Sequence, residues 1–366
     1  MKFLFPAFLS ILFLYNGFSI AQSCCSGSSG CPIAGGASQG VLAEKQVEIN
    51  SNYQYIYSDK FLNGDTADRN YLDLYKSQYN YLRLAYGITE KFTFSIESGY
   101  YFNKTQVGLN KRDTISSHGI GDLILFPRYN VYHHQGSKGN FDATVGVGIK
   151  IPIGDYQDSL NLGSLSNSTG IPYFIRKPPA LQPSTGAQDF IFYAMMFKGF
   201  TKSKFRMFSN FIYIKKGWNP MGEKAGNYAS AGLFFSKTIY KNIGVILQFK
   251  GEHAGQLSLN PDLEMMGFYN YDTKATGGNK LLAVPQISYS YKSLSVFASY
   301  EIPMYQFVNG TQIASHYLFT GGISYKFFPF KKKIASGTYY CPMHHEQNST
   351  SPGKCSLCGM DYILMK

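Results

Sequence analysis

YLFTGGISYKF, residues Tyr317–Phe327, alternates between two kinds of side chain. Its odd-numbered positions are mostly aromatic or aliphatic, and its even-numbered positions include Thr320, Ser324 and Lys326. Successive side chains of a β-strand point to opposite faces, so this pattern predicts a strand with one apolar and one polar environment. The same period recurs in residues 47–57, 92–99, 243–250 and 294–302. The chain is therefore predicted to be all-β.

Composition indicates where such strands would lie. The 366 residues are 44% hydrophobic and include 30 Tyr, 29 Phe and 37 Gly. After residue 21 no apolar run approaches the roughly 18 residues that a transmembrane helix needs. Amphipathic strands rich in aromatic residues are typical of antiparallel outer-membrane β-barrels, which are apolar outside and polar within. A soluble β-sandwich would show the same alternation, but it rarely explains so many Tyr and Phe residues on long strands.

The lengths of the connections support the barrel. About twelve strands are predicted within residues 45–328, although a count of fourteen stays open; we place them near residues 45–58, 75–88, 91–102, 119–132, 140–152, 188–199, 204–215, 227–239, 242–253, 281–291, 293–304 and 313–328. Short turns follow the even strands and mostly longer loops follow the odd ones, which is the outer-membrane pattern. The least regular connections are 133–139 and the last loop, 305–312. An even strand count places both chain ends in the periplasm.

The start of the chain predicts export. Lys2 precedes an apolar run over residues 3–15, and Ser19-Ile20-Ala21 has the small-x-small spacing of a cleavage site. Residues 1–21 are therefore predicted to be a secretory signal peptide. A membrane anchor and a lipoprotein cut before Cys24 are the alternatives.

The last residues, 339–366, read YYCPMHHEQNSTSPGKCSLCGMDYILMK and predict a small metal-binding knuckle domain. Cys341 and His344 form one ligand pair, and Cys355 and Cys358 form another, so four side chains can converge on one ion. Thiolate and imidazole ligands select borderline or soft metals. A disulfide knot is the alternative in an oxidising compartment.

Two methionines influence the choice of metal. Met343 and Met360 adjoin the ligand turns, and their thioethers favour Cu(I) or Ag(I) over Zn(II). The pattern Y-x-C-P-M-H…P-G-K-C-x-x-C-G-M also resembles the heavy-metal-binding domain that is appended to copper and silver efflux components. His345 and Ser356 stand where that family usually has proline. The resemblance implies heavy-metal handling, with Cys341, His344, Cys355 and Cys358 at the matching ligand positions.

The barrel carries a second resemblance. HGIGDLILFPRY, residues 118–129, and GIKIPIGDY, residues 148–156, are similar to segments of an outer-membrane family linked to the meta-pathway of phenol degradation. That family is loosely related to channels for hydrophobic solutes. The resemblance implies a transport or channel role without naming the solute.

A Cys/Gly/Ser-rich segment, residues 22–44, precedes the barrel. Cys24, Cys25 and Cys31 are predicted either to form a second metal site or to enter disulfides, since periplasmic oxidation competes with metal for the same thiols. A linker, 329–338, joins the barrel to the metal domain at 339–366.

Two function classes receive little support. The net charge of +12 comes from residues spread along the whole chain, so we expect no nucleic-acid partner. The histidines between residues 118 and 316 are scattered and show no recognisable Ser or acidic partner pattern, so we expect no enzymatic activity. The expected partners are outer-membrane lipid, soft metal ions and periplasmic components of a metal efflux system.

The sequence therefore predicts an outer-membrane barrel with a periplasmic metal module, serving copper, silver or another soft metal in homeostasis or efflux. Two alternatives stay open. One is a channel for hydrophobic or aromatic solutes with a structural zinc site, and the other is a metal-binding scaffold that passes no solute.

Overall fold

The computed structural model describes residues 40–136, 139–164, 172–200, 203, 205–240, 242–262, 272–329, 339–341, 344, 347–355 and 360–364. The predicted signal peptide and Cys24, Cys25 and Cys31 lie outside the described residues. So does the linker after residue 329.

Twelve antiparallel strands form a closed barrel, which confirms the predicted fold class. Each strand pairs with its neighbours in sequence, and the last strand pairs with the first, from Val47 opposite Phe327 to Tyr57 opposite Tyr317. Closure pairs the edge strands that would otherwise invite aggregation. The strands are β1 (Val47–Ser58), β2 (Leu72–Gly87), β3 (Phe92–Gly108), β4 (Leu123–Gly136), β5 (Gly139–Ile151), β6 (Asp189–Phe200), β7 (Phe205–Lys215), β8 (Tyr228–Tyr240), β9 (Ile243–Ala254), β10 (Gly278–Tyr291), β11 (Leu294–Ile313) and β12 (Tyr317–Phe327).

Side chains alternate between the outer surface and the interior of the barrel. On β12, Phe319 and Ile323 are exposed, while Thr320 and Ser324 are buried. A single-layered barrel can bury side chains only in its lumen, so the buried set faces inward. The outer surface carries large apolar side chains, including those of Leu82, Leu84, Ile96, Val145, Val147, Phe211 and Ile302. Such a surface suits the hydrocarbon of a membrane. No helix in the described ranges is long and apolar enough to cross a membrane.

The last loop differs from the prediction. Residues 305–312 continue β11, which pairs with β10 as far as Val308 opposite Gly278 and then pairs with a short strand at Phe61–Gly64. Strand β11 bulges where Leu281 and Leu282 oppose Tyr305 and Pro303. The bulge lets the strand pass Pro303, which at sequence level reads as a strand end. The turn predicted at 133–139 is also shorter, since β4 ends at Gly136 and β5 begins at Gly139.

The first strand begins and the last strand ends at one end of the barrel, where Val47 of β1 pairs with Phe327 of β12. We call this end the chain-end rim. The turn between Gly136 and Gly139 lies at the same rim, because it follows an even strand. We call the opposite end, which carries the long connections, the loop rim.

The connection between β5 and β6 folds inward at the loop rim. Its residues Pro179–Leu181 form a 3-10 turn, and the Leu181 side chain is fully buried. Lys104 Nζ donates to the Gln182 carbonyl at 2.7 Å, and Lys177 Nζ lies 2.7 Å from Asp158 Oδ2. We call residues 177–187 the inward loop. It occupies the lumen on the side away from the chain ends.

Candidate metal centre

The chain ends in a small unit, which we call the knuckle, within residues 339–364. Its three strands are β13 (Tyr339–Tyr340), β14 (Asn348–Ser349) and β15 (Ile363–Leu364). Strand β13 is central and pairs antiparallel with both others. So short a sheet has little core, and each ligand turn relies on its own hydrogen bonds.

The first ligand turn begins where β13 ends. The Cys341 N–H donates to the Gln347 carbonyl at 3.1 Å, and the Gln347 N–H donates to the His344 carbonyl at 2.8 Å. The backbone of Gln347 therefore fixes both ligand residues of the C-x-x-H segment. The sequence pattern gives no signal for this role of Gln347.

The second ligand turn is a narrow hairpin. The Cys355 N–H donates to the Met360 carbonyl at 2.7 Å, and the Tyr362 N–H donates to the Gly353 carbonyl at 2.8 Å. A bridge between Lys354 and Asp361 lies between these two bonds. These hydrogen bonds fix the Cys355 backbone.

Three predicted ligands come together between the two turns. His344 Nδ1 lies 3.8 Å from Cys341 Sγ and 3.7 Å from Cys355 Sγ. The three donor atoms lie within 4.8 Å of one another. Cys341 is 0% exposed and Cys355 is 2% exposed, so water has little access to the sulfur atoms. Both cysteines carry thiols rather than a disulfide in the described part of the chain.

These distances suit a shared ion. At ordinary zinc bond lengths, a sulfur and a nitrogen on one tetrahedral ion lie about 3.6 Å apart. The two measured separations are close to that value. Two thiolates and one imidazole are also a donor set for soft and borderline metals. Cys341, His344 and Cys355 can therefore hold one heavy-metal ion.

Only one of the other predicted site residues belongs to the described part of the chain. Cys358 and Met343 lie outside the described residues, so their part in the site stays a prediction. Met360 is described, and its carbonyl accepts the Cys355 N–H in the second turn. Cys24, Cys25 and Cys31 also lie outside the described residues.

A hydrogen bond joins the knuckle to the barrel. Gln347 Nε2 donates to Gln135 Oε1 at 3.2 Å. Gln135 is the last residue but one of β4, at the chain-end rim. It pairs with Asn140, and His133 pairs with Asp142, so these residues share one face of the β4–β5 hairpin. The buried Thr144 belongs to the same face of β5, which makes it the lumenal face. The knuckle therefore touches the rim on its lumenal side.

The adjacent histidines of this rim have different surroundings. His133 Nδ1 lies 2.5 Å from Asp142 Oδ1, and His134 stacks with Tyr132 at a centroid distance of 6.5 Å. Both histidines are exposed. Both lie in β4, which ends at Gly136, rather than in the predicted turn at 133–139. The three-residue cluster of metal-ligating side chains in the described chain does not include them.

Comparison with known proteins supports two parts of this description. The sequence model of the heavy metal binding domain family matches residues 338–361. The knuckle is thus a heavy-metal-binding domain at the C-terminal end of a barrel. No curated protein matches the chain.

Among solved structures, the chain is similar to an outer membrane channel from Pseudomonas putida F1. The TM-score is 0.57 at 12% identity, and the match covers 80% of this chain and 99% of that chain. This similarity confirms the fold of an outer membrane β-barrel.

Other similarities are weaker. The translocator domain of the autotransporter NalP from Neisseria meningitidis has a TM-score of 0.40 at 12% identity, with 77% of this chain and 88% of that chain covered. A FadL homologue from Pseudomonas aeruginosa has a TM-score of 0.38 at 9% identity, with 77% and 90% covered.

Proposed function

We propose that this protein captures a soft metal ion, copper or silver, in the periplasm and serves its homeostasis or efflux across the outer membrane. The observation that carries the proposal is the convergence of Cys341, His344 and Cys355 within 4.8 Å. Cys358 is the fourth ligand in this proposal, since C-x-x-C is a common spacing for two cysteines that bind one metal ion.

The donor set supports a soft ion. Thiolates bind Cu(I) and Ag(I) strongly, and thioethers add to that preference without adding charge. Met360 lies in the hairpin that fixes Cys355, and Met343 lies between Cys341 and His344 in sequence. A structural zinc site would need only the four ligands and no methionine.

The position of the knuckle supports coupling to the barrel. The first and last strands of the barrel meet at the chain-end rim, and the short turns at this rim support a periplasmic location for it. Through Gln347 and Gln135 the ligand turn contacts the lumenal side of that rim. An ion captured there is held at the mouth of the barrel. Periplasmic efflux components are the partners this proposal implies, and the apolar outer surface would face outer-membrane lipid. We propose no enzymatic role.

A flux assay tests the proposal. Full-length protein, protein lacking residues 339–366 and the full-length variant Cys355→Ser/Cys358→Ser are reconstituted into liposomes, and entry of Ag⁺ and of phenol is measured. The proposal expects Ag⁺ entry that falls in both altered proteins while phenol entry does not change. Equal Ag⁺ entry in all three proteins would contradict it.

A channel for aromatic or hydrophobic solutes is the second candidate. A cavity of about 190 Å³ lies in the lumen toward the loop rim, and its lining includes Tyr79, Tyr101 and Tyr228. Phenolic rings of this kind suit a small aromatic molecule. Phenol entry without Ag⁺ entry in the same assay would favour this candidate. Metal binding without entry of either solute would favour a scaffold.

A further inference from the structure

Four charged side chains from four neighbouring strands lie close together in one part of the lumen. They are Glu48 of β1, Arg83 of β2, Glu97 of β3 and Arg128 of β4. They are almost completely enclosed, with Arg83 2% and Arg128 1% exposed. Charged side chains that line a wide aqueous pore would be reached by solvent. These side chains are packed instead, so we call them the charged layer.

Specific contacts fix each member of the layer. Arg83 Nη2 lies 3.0 Å from Glu48 Oε2, and Ser324 Oγ donates to Glu48 Oε1 at 2.7 Å. Since Ser324 belongs to β12, this contact crosses the closing seam of the barrel. The layer thus links strands on both sides of the seam.

Two hydrogen bonds fix the second carboxylate of the layer, that of Glu97. Tyr81 Oη donates to Glu97 Oε2 at 2.5 Å, and Ser95 Oγ donates to Glu97 Oε1 at 2.8 Å. Arg83 stands directly opposite Glu97 in the β2–β3 pairing. Arg128 lies close enough to Glu97 and Arg83 for their charges to interact. Both signs of charge are therefore interleaved and compensated within the layer.

A glycine on the next strand, β5, makes room for the charged layer. Gly146 stands opposite Arg128, and a Cβ there would lie 3.1 Å from Arg128 Cγ and 3.0 Å from the Pro127 carbonyl oxygen. Gly146 pairs in turn with the buried Tyr193 of β6. The absence of a side chain at Gly146 lets Arg128 lie against the barrel wall and fill the interior.

The lumenal cavity lies on one side of this layer. Tyr79 and Ile124 line the cavity, whereas Glu48, Arg83, Glu97 and Arg128 are not part of its lining. Residues of the inward loop, including Pro179 and Gln182, line it as well. The cavity thus has the inward loop toward the loop rim and the charged layer toward the chain-end rim.

We propose that Glu48, Arg83, Glu97 and Arg128 form the constriction that decides what passes through the barrel. The constriction closes the lumen between the cavity and the chain-end rim. A solute held in the cavity passes on only when the pairing of Arg83 with Glu48 is broken or when Arg128 moves away from Glu97. This inference does not depend on the identity of the metal or on metal binding.

Ion conductance in planar lipid bilayers tests the constriction, with K⁺ and Cl⁻ as the probes. Two variants each remove one positive and one negative group together, Glu48→Ala/Arg83→Ala and Glu97→Ala/Arg128→Ala. Paired removal avoids leaving a buried charge without its partner, which would itself destabilise the barrel. The matched control is Lys250→Ala/Glu301→Ala, which removes another lumenal ion pair, 2.7 Å long, from β9 and β11. Glu252, which also pairs with Lys250, keeps its hydrogen bond from Tyr228 in this control. Heat-modifiable migration in gels shows which proteins are folded.

The proposal expects larger K⁺ and Cl⁻ currents from both layer variants than from wild type or from the control. Either layer variant is sufficient if the other fails to fold. Wild-type currents as large as those of the folded layer variants would overturn the proposal. Currents from the control equal to those of the layer variants would overturn it too.

Discussion

His344 Nδ1 lies 3.7 Å from Cys355 Sγ although the two residues are 11 positions apart in the sequence. Each residue sits on a separate turn with its own backbone hydrogen bonds, and β13 with its two partner strands holds the turns together. The knuckle thereby brings an imidazole against two buried thiols. Thiols that are buried beside an imidazole suit metal binding better than thiols that are exposed to solvent.

The methionines provide a test of metal identity. Replacing Met343 and Met360 with Leu keeps the volume and removes the thioether sulfurs. We expect Zn(II) affinity to stay nearly unchanged and Cu(I) affinity to fall, since only the soft ion gains from a thioether. Competition titrations of both ions measure the two changes. If Cu(I) affinity is also unchanged and wild type prefers Zn(II), the structural zinc site is favoured.

The orientation of the barrel can be tested by labelling. Asp113 lies in an exposed connection at the loop rim, and Lys354 lies exposed in the knuckle. With the native cysteines replaced by serine, we expect a membrane-impermeant maleimide to label Asp113→Cys in intact cells. We expect it to label Lys354→Cys only after the outer membrane is permeabilised. Labelling of Lys354→Cys in intact cells would reverse the proposed orientation.

The inward loop should depend on its ion pair. Lys177 Nζ lies 2.7 Å from Asp158 Oδ2 and also donates to the Ser116 carbonyl at 2.7 Å. We expect Lys177→Ala to speed cleavage by proteinase K between residues 154 and 187 in detergent. Lys111→Ala, in an exposed turn, is the control. Equal cleavage rates in both variants would show that this pair does not hold the loop.

The stabilisation of the inward loop by the ion pair between Lys177 and Asp158 should depend on pH. Burial raises the pKa of the Asp158 carboxyl, but the hydrogen bonds from Lys177 and Ser117 and the charge of Lys177 together outweigh burial and hold the pKa below its usual range. A carboxyl with a lowered pKa stabilises the folded loop above its unfolded pKa, and this stabilisation is lost as pH falls through the lowered value. The loop should therefore stay protected down to about pH 4, the usual aspartate pKa, and open only below it. Pepsin cleavage at stepped acidic pH values measures this, with Asp158→Asn as the variant that should lose the dependence.

Close packing of the lumen makes a further prediction. A Cβ at Gly148 would lie 2.6 Å from Cδ2 of Phe126, whose side chain is buried. We expect Gly148→Ala to lower the free energy of unfolding by about 1–3 kcal/mol, as overpacking does. Gly321→Ala is the matched control, since its Cβ would meet nothing closer than 3.6 Å. Urea unfolding followed by circular dichroism compares the two, and equal losses would contradict the packing argument.

The sequence predicts the barrel well because its signal is local. Alternation and turn spacing locate the twelve strands to within a few residues in most cases. The clear exception is β11, whose second half is paired with residues 61–64, far away in sequence. Pro303 and Asn309-Gly310 read as the end of a strand because nothing nearby in sequence shows that pairing.

The candidate metal site, like the barrel, was only partly predictable from the sequence. The ligand spacing is local, so Cys341, His344 and Cys355 were predictable from their motif alone. The contact between Gln347 and Gln135 joins residues 212 positions apart. The hydrogen bond that ties Lys104 to the inward loop spans 78 positions. Contacts of this kind follow from closure of the barrel and have no periodic or motif signal.

The central claim is that the knuckle binds a soft metal ion through its cysteines and histidine. The most direct test is a titration of Cu(I) into full-length protein under reducing conditions. Cys355→Ser/Cys358→Ser is the test variant, and Cys24→Ser/Cys25→Ser/Cys31→Ser is the control that removes thiols elsewhere. We predict that wild type and the control each bind an ion at the knuckle, and that the test variant loses this binding because half of its donor set is gone. Wild type that binds no ion, or a test variant that binds as tightly as wild type, would contradict the claim.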